Sequence, residues 1–140
     1  MTRYLETVNH GRMFIRYHFV FPTKYRKRCL VGMEDELRSV FRWVSGRCAL
    51  TVLRLGVDGD HVHLLVKCDA SLSPLQIVRR LKQLSTREMW RRHSEYLSRF
   101  YWRKGKNLWA SGYFCSTVGQ VSEDKIINYI EKQGGKEQMS

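Results

Sequence analysis

The stretch F-I-R-Y-H-F-V-F, Phe14 to Phe21, alternates between two faces and is rich in aromatic and β-branched residues, the signature of a strand. Ile15, Tyr17, Phe19 and Phe21 form its more apolar face, and Arg16 and His18 lie on the other. Pro22 stops the strand and the basic turn T-K-Y-R-K-R follows. From Met33 to Ser45 the apolar residues Leu37, Val40, Phe41 and Val44 recur at helical spacing, with Gly46 as a stop. Leu50 to Val57 reads as a second strand, Asp58-Gly59 as a tight turn, and D-H-V-H-L-L-V from Asp60 as the strand completing a hairpin. Ser73-Pro74 then opens a helix, with Ser as cap and Pro in the first turn. Leu75, Val78, Leu81 and Leu84 supply its predicted buried stripe, opposite Arg79, Lys82 and Arg87. A loop of bases and aromatics, Tyr101 to Trp109, precedes a strand expected over Tyr113 to Val118. A last helix is capped by Ser122, has Glu123 and Asp124 in its first turn, and stops at Gly134-Gly135.

The order strand, helix, strand, strand, helix, strand, helix predicts an α+β fold: a ferredoxin-like (RRM-like) antiparallel sheet with two helices on one face. A single domain over residues 1–140 is expected, with no internal repeat. The last helix is extra to that unit. In such a sheet the first and third strands are central neighbours, so His18, His61 and His63 would share the face opposite the two helices. That face has room for a site, or for the extra helix to dock.

Charge changes the picture more than composition does. Lys and Arg outnumber Asp and Glu by 25 to 13, a net charge of +12, which favours a polyanionic partner, most simply nucleic acid. A hydrophobic fraction of 43% supports a real core. Cys29, Cys48, Cys68 and Cys115 form no C-x-x-C pair and read as small buried hydrophobes. The start, M-T-R-Y-L-E-T-V-N-H, has no apolar signal region, and no run approaches the ~20 apolar residues of a membrane span. A cytoplasmic protein without a membrane partner is therefore expected.

The chemistry-bearing residues are few. His61 and His63, one residue apart on a strand, project to the same face and can reach one metal ion, or can equally sit in a solvated face with no ligand. In the last helix Tyr129 and Gln133 are four apart and share a face, with Ile126 and Ile130 anchoring an adjacent one. A tyrosine can attack a phosphate and hold it covalently. A phenol ionises near pH ~10 in water, so it needs a nearby cation or base.

Several blocks together carry a resemblance: Y-H-F-V-F-P-T-K-Y-R from Tyr17, D-H-V-H-L-L-V from Asp60, I-V-R-R-L-K-Q-L-S-T-R from Ile77, L-W-A-S-G-Y-F-C-S-T-V-G from Leu108, and Y-I-E-K-Q from Tyr129. In this order they resemble the single-tyrosine HUH transposases (His, hydrophobic, His), the TnpA-type enzymes of small insertion sequences that move as single-stranded DNA. Gln83 departs from the small residue expected after L-K. The resemblance implies Tyr129 as nucleophile, His61 and His63 as metal ligands with Gln133 as the third, and Mg²⁺ or Mn²⁺ as cofactor. It implies two transesterifications through a 5′-phosphotyrosine on single-stranded DNA with terminal hairpins. It also implies a homodimer in a prokaryotic cytoplasm, with active sites that can be shared in trans.

Within that frame Lys24, Arg26, Lys27, Arg28, Arg79, Lys82, Arg87, Arg103, Lys104 and Lys106 are candidates for phosphate contacts. Trp102, Trp109 and Tyr113 are candidates for stacking on unpaired bases, and His18 for a residue supporting the metal ligands. Two rivals are a domesticated relative or replication-type HUH nickase acting on repeated hairpins, and a non-catalytic RRM-like nucleic-acid-binding module. The module leaves Tyr129 and Gln133 without a purpose.

Overall fold

The computed structural model describes residues 13–102 and 105–132, the side chains of residues 120–123 excepted. Its elements are β1 (Phe14–Pro22), a 3-10 turn (Lys24–Arg26), α1 (Glu34–Ser45), β2 (Leu50–Asp58), β3 (His61–Asp69), α2 (Pro74–Ser98), β4 (Phe114–Thr117) and α3 (Gln120–Lys132). The strands form one antiparallel sheet in the order β2-β3-β1-β4, so β1 and β3 are the central neighbours expected of a ferredoxin-like arrangement.

The period-2 pattern decides which face is dry. Tyr17, Phe19 and Phe21 of β1, with Val62, Leu64 and Val66 of β3, are buried in one core with Leu37, Val40, Phe41 and Val44 of α1. Ile77, Val78, Leu81 and Met89 of α2 join the same cluster. Fully burying one such side chain contributes roughly 1.5–3 kcal/mol. Strand β2 keeps its pattern only through a bulge: the register with β3 shifts between Val52 and Arg54, leaving Leu53 unmatched. The extra residue reverses the facing of everything after it. Leu55 and Val57 stay in the core, and Gly56 comes opposite His63 on the other face.

Several sequence expectations shift. Ser73 caps α2 as read, its hydroxyl accepting Gln76 N–H at 3.1 Å while Gln76 answers at the Ser73 N–H, a reciprocal capping box. The buried stripe, however, is Ile77, Val78, Leu81, Ser85, Glu88 and Met89. Leu75 keeps i, i+3 spacing with Val78, but it lies in the first turn of the helix and is 46% exposed. Strand β4 is shorter than expected, and α3 starts at Gln120, so Ser122 is inside the helix rather than its cap. Gly134 and Gly135 lie outside the described residues.

Glu88 is the charged member of the α2 stripe. Its carboxylate accepts Arg91 at 2.6 Å and 3.0 Å and Arg92 at 2.7 Å, and Arg92 also donates to Ser39 of α1 at 2.8 Å. The Arg91 hydrogen bonds, then those of Arg92, hold the Glu88 carboxyl down at about 2. A depressed folded-state value stabilises the fold fully above the unfolded glutamate's ordinary 4.5 and is lost as pH falls from there through about 2. Glu88→Gln is therefore expected to lower the urea midpoint at neutral pH and to flatten its decline across that acid window. Parallel urea titrations of the two proteins would check both effects.

Candidate functional site

The sheet face away from α1 and α2 is where α3 docks. The helix packs across β2 and β3, and Ile130 is completely buried there. The seat is Gly56. A Cβ built on it would lie 2.5 Å from Ile130 Cγ2 and 2.7 Å from the Ile130 carbonyl oxygen, so the strand and helix backbones meet where only glycine leaves room. With Ile130 fixed on the sheet, its neighbour Tyr129 falls at the mouth of a cleft of about 530 Å³. His18, Val20, His61, His63, Phe114 and Ile126 are among the residues lining this cleft.

The three histidines and the tyrosine are thus brought together. The His61 and His63 rings have centroids 5.0 Å apart, and the Tyr129 ring stands edge-on to His63 at 5.2 Å and to His18 at 6.5 Å. Tyr129 is 47% exposed, so its side chain is open to a large ligand. His63 is buried. Its Nδ1 lies 3.2 Å from His18 Nε2, and its Nε2 is buried with no hydrogen-bond partner among the described residues. Burial, then the neighbouring His18 and His61, push the His63 imidazole down to about 4, so at neutral pH it is uncharged. Burial lowers His18 in the same direction. A neutral, buried imidazole with one nitrogen lacking a partner is what a metal ligand needs.

His61 is arranged differently. Its Nδ1 lies 2.8 Å from Asp60 Oδ1, and its Nε2 is 3.8 Å from Asp58 Oδ2. Asp60 in turn accepts Arg26 Nε at 3.0 Å, and that bond holds its carboxyl below the usual aspartate value. Among the described residues no group of three His, Cys, Asp or Glu side chains is placed to hold a metal ion. A third ligand would have to be another residue type or lie elsewhere. Gln133 is outside the described residues.

The candidate DNA contacts separate into groups. Lys82, Arg87 and Lys106 line a second groove of about 550 Å³ along α2, together with Gln83, Thr86 and Asn107. Lys82 is not the free surface cation that its helix position suggested: its Nζ donates to the carbonyls of Ala110, Ser111 and Gly112 at 2.7, 3.3 and 3.1 Å, and burial lowers its pKa. It ties the loop before β4 to α2. Lys24 bonds Asn107 Oδ1 at 3.3 Å, and Lys27 lies over the Trp102 ring at 5.7 Å. Arg28 and Arg79 are exposed. Arg103 and Lys104 are outside the described residues.

Of the stacking candidates, Trp102 and Tyr113 are exposed. Trp109 is in the core, with its Nε1 donating to Ser85 Oγ at 2.8 Å, so it offers no platform to a base. Asp60 and Gly56 are further residues of the site that the H-x-H and tyrosine motifs do not include. The signals were there: a carboxylate next to the H-x-H pair, and a glycine inside an apolar strand, which marks close backbone approach.

The sequence profile of the family described as "Transposase IS200 like" matches residues 13–133. The chain belongs to the IS200-like transposase family. This transposase is 32% identical over 124 residues to the ISDra2 transposase TnpA of Deinococcus radiodurans, covering 88% of this chain and 86% of that one. It is 25% identical over 139 residues to the transposase for insertion sequence element IS200 of Salmonella typhimurium, covering 96% and 86%. Among solved structures, a Deinococcus radiodurans R1 crystal structure described as a transposase superposes with a TM-score of 0.67 at 32% identity, over 87% of this chain and 92% of that one. A REP-associated tyrosine transposase bound to a REP hairpin superposes with a TM-score of 0.56 over 84% and 62%. At 13% identity it shows the shared fold alone. The chain is a DNA transposase, and among its described residues no helix is long and apolar enough to cross a membrane.

Proposed function

We propose that this transposase cleaves and rejoins single-stranded DNA at hairpin-flanked element ends, with Tyr129 as nucleophile and a Mg²⁺ or Mn²⁺ ion held by His61, His63 and Gln133. The observation that carries the reading is the His63 Nε2, buried and without a partner among the described residues, in the same cleft as a half-exposed tyrosine. The donor set fits a divalent ion: His61 and His63 each have Nε2 free for coordination once the other ring nitrogen is hydrogen-bonded, and the amide oxygen of Gln133 adds a hard ligand. When bound, such an ion polarises the scissile phosphate and offsets the charge that grows on it.

The chain's own groups do the rest. In the first step the Tyr129 phenol oxygen bonds to phosphorus and the bond from phosphorus to the 3′ oxygen breaks. The released oxygen takes up a proton to become a 3′-hydroxyl, and the 5′ end stays on the tyrosine. In the second step a 3′-hydroxyl from another cleaved end attacks the phosphotyrosine, restoring a phosphodiester and freeing the phenol. The bond count is conserved, so no ATP is needed. In this reading His18 supports His63, whose Nδ1 lies 3.2 Å from His18 Nε2: with the proton on Nδ1, the His63 Nε2 lone pair is bare. One nucleophilic tyrosine per chain makes a homodimer the smallest assembly able to exchange two ends. Arg87 and Lys106 of the groove along α2, with Lys24, Lys27 and Arg28 of the turn after β1, supply phosphate contacts, giving affinity with little sequence choice.

The test is covalent capture. Labelled single strands from the element's ends, incubated with protein and Mn²⁺, are expected to give a slow-migrating adduct on a denaturing gel, and EDTA should abolish it. Hairpin binding with no adduct under either metal would instead support a purely binding protein.

A further inference from the structure

Asp60 sits in the turn between β2 and β3 and is held from three sides. Its carbonyl accepts the Thr23 N–H at 2.8 Å, its Oδ2 accepts Arg26 Nε at 3.0 Å, and its Oδ1 lies 2.8 Å from His61 Nδ1. Arg26 belongs to a turn that runs through the left-handed region at two successive non-glycine residues, Tyr25 (φ 61) and Arg26 (φ 51). Side chains rarely adopt that conformation, so the surroundings must enforce it. Lys24 N–H donates to the Leu108 carbonyl at 2.8 Å, the buried Tyr101 hydroxyl donates to the Lys24 carbonyl at 2.8 Å, and Thr23 Oγ1 donates to the Lys27 carbonyl at 2.7 Å. A turn fastened this firmly, with one of its guanidinium nitrogens on a carboxylate, is built for more than loose contact with a DNA backbone.

An ionised carboxylate only accepts hydrogen bonds, so the nitrogen bonded to it must carry the proton. Two carboxylates face the ring, and only Asp60, at 2.8 Å from Nδ1, is within hydrogen-bond reach; Asp58 Oδ2 stands 3.8 Å from Nε2. We propose that Asp60, braced by Arg26, is a positioning residue that fixes His61 in the Nδ1–H tautomer and thereby presents its bare Nε2 to the active site. The proposal rests on the reading of His61 as a metal ligand. It gives Arg26 a different part from the phosphate contact expected of a basic turn. Without Asp60 the imidazole is free to take the Nε2–H form, in which the nitrogen nearest the site has no lone pair to offer until its proton moves.

The tautomer is readable without any metal. Side-chain ¹⁵N NMR of the full metal-free chain at pH ~8.5, where imidazoles are neutral, is expected to show His61 as Nδ1–H in the wild type. In Asp60→Ala it should move substantially toward Nε2–H. Calorimetric titration with Mn²⁺ alone should show Asp60→Ala binding 10–100-fold more weakly, roughly the effect of losing a carboxylate behind a histidine ligand. Raised Mn²⁺ should then restore most of the cleavage rate. Asp60→Asn keeps an acceptor oxygen and should recover much of the affinity, and Arg26→Ala should shift the tautomer the same way by a smaller amount. Should Asp60→Ala fail to fold, Arg26→Ala gives the same reading at smaller amplitude. An unchanged tautomer and unchanged Mn²⁺ affinity in Asp60→Ala, or in Arg26→Ala if Asp60→Ala does not fold, would overturn the proposal. His61→Ala separates it from the underlying reading: wild-type Mn²⁺ binding in that variant removes His61 from the ligand set, whatever the tautomer of His61 does in the other proteins.

Discussion

Tyr129→Phe is expected to leave no covalent protein–DNA adduct and to lower strand transfer by on the order of 10⁴-fold or more, the scale on which enzymes slow when a nucleophile or its partner is removed. The substitution isolates one oxygen. The remaining ring keeps its edge-on packing against His63 at 5.2 Å and His18 at 6.5 Å, so the helix has no reason to leave the sheet. Tyr129 is 47% exposed, so losing its hydroxyl leaves no buried partner stranded, and stability should change by no more than about 0.5 kcal/mol. Hairpin affinity and Mn²⁺ affinity should both stay near wild type, because neither uses the phenol oxygen. Gel capture, a binding titration and a thermal melt on one preparation would test all of this. An adduct that persists in Tyr129→Phe would require another nucleophile. Among the described tyrosines, Tyr25 and Tyr113 are exposed, whereas Tyr17 and Tyr101 are buried.

Much of this architecture is legible in the residues themselves, because local rules and the final packing agree. Asp58-Gly59 between two apolar runs gives the hairpin, alternation gives its dry face, and Ser73-Pro74 marks where α2 begins. What the local pattern leaves open is settled elsewhere. Spacing puts Leu75 in line with Val78, yet in the first turn of α2 it is 46% exposed. Trp109 offers both a stacking platform and a core residue in its own segment, and Ser85 of α2 gives its buried indole an acceptor. The β2 bulge is likewise invisible in Leu50–Val57 alone, because it exists only as a mismatch with β3. The site behaves the same way. The H-x-H pair puts two imidazoles on one face without further information, but what sits over them depends on where α3 lands. That is fixed by a glycine more than seventy residues upstream of the helix residue it meets, far beyond any helical or strand period.

That dependence makes Gly56→Ala the other large effect. Alanine is a better strand residue than glycine, so on local grounds β2 should be no less stable. The cost comes from contact: the new Cβ would lie 2.5 Å from Ile130 Cγ2 and 2.7 Å from the Ile130 carbonyl oxygen, and backbone cannot rotate away as a side-chain tip can. α3 must lift or slide by about 1 Å to restore ordinary van der Waals spacing. A misplacement of about that size in a reacting group is worth on the order of 10²-fold in rate. Gly56→Ala is therefore expected to keep a folded sheet, with dispersed amide spectra and a normal melt, while cleavage falls about 10²-fold. Wild-type cleavage in the variant would mean that α3 need not sit on Gly56 when DNA is cut. Mixed dimers extend the same logic. In a dimer of one Gly56→Ala chain and one Tyr129→Phe chain, a tyrosine helix that stays on its own sheet, as this chain places it, gives one displaced nucleophile and one missing nucleophile, and cleavage remains low. A helix that crosses to the partner's sheet gives one site in which an intact tyrosine meets an intact glycine seat, and cleavage returns to about half the wild-type rate, as two independent sites require. The clearance at a single α-carbon thus sets where Tyr129 stands over the histidines, and the mixed dimer reads out whose histidines those are when DNA is cut.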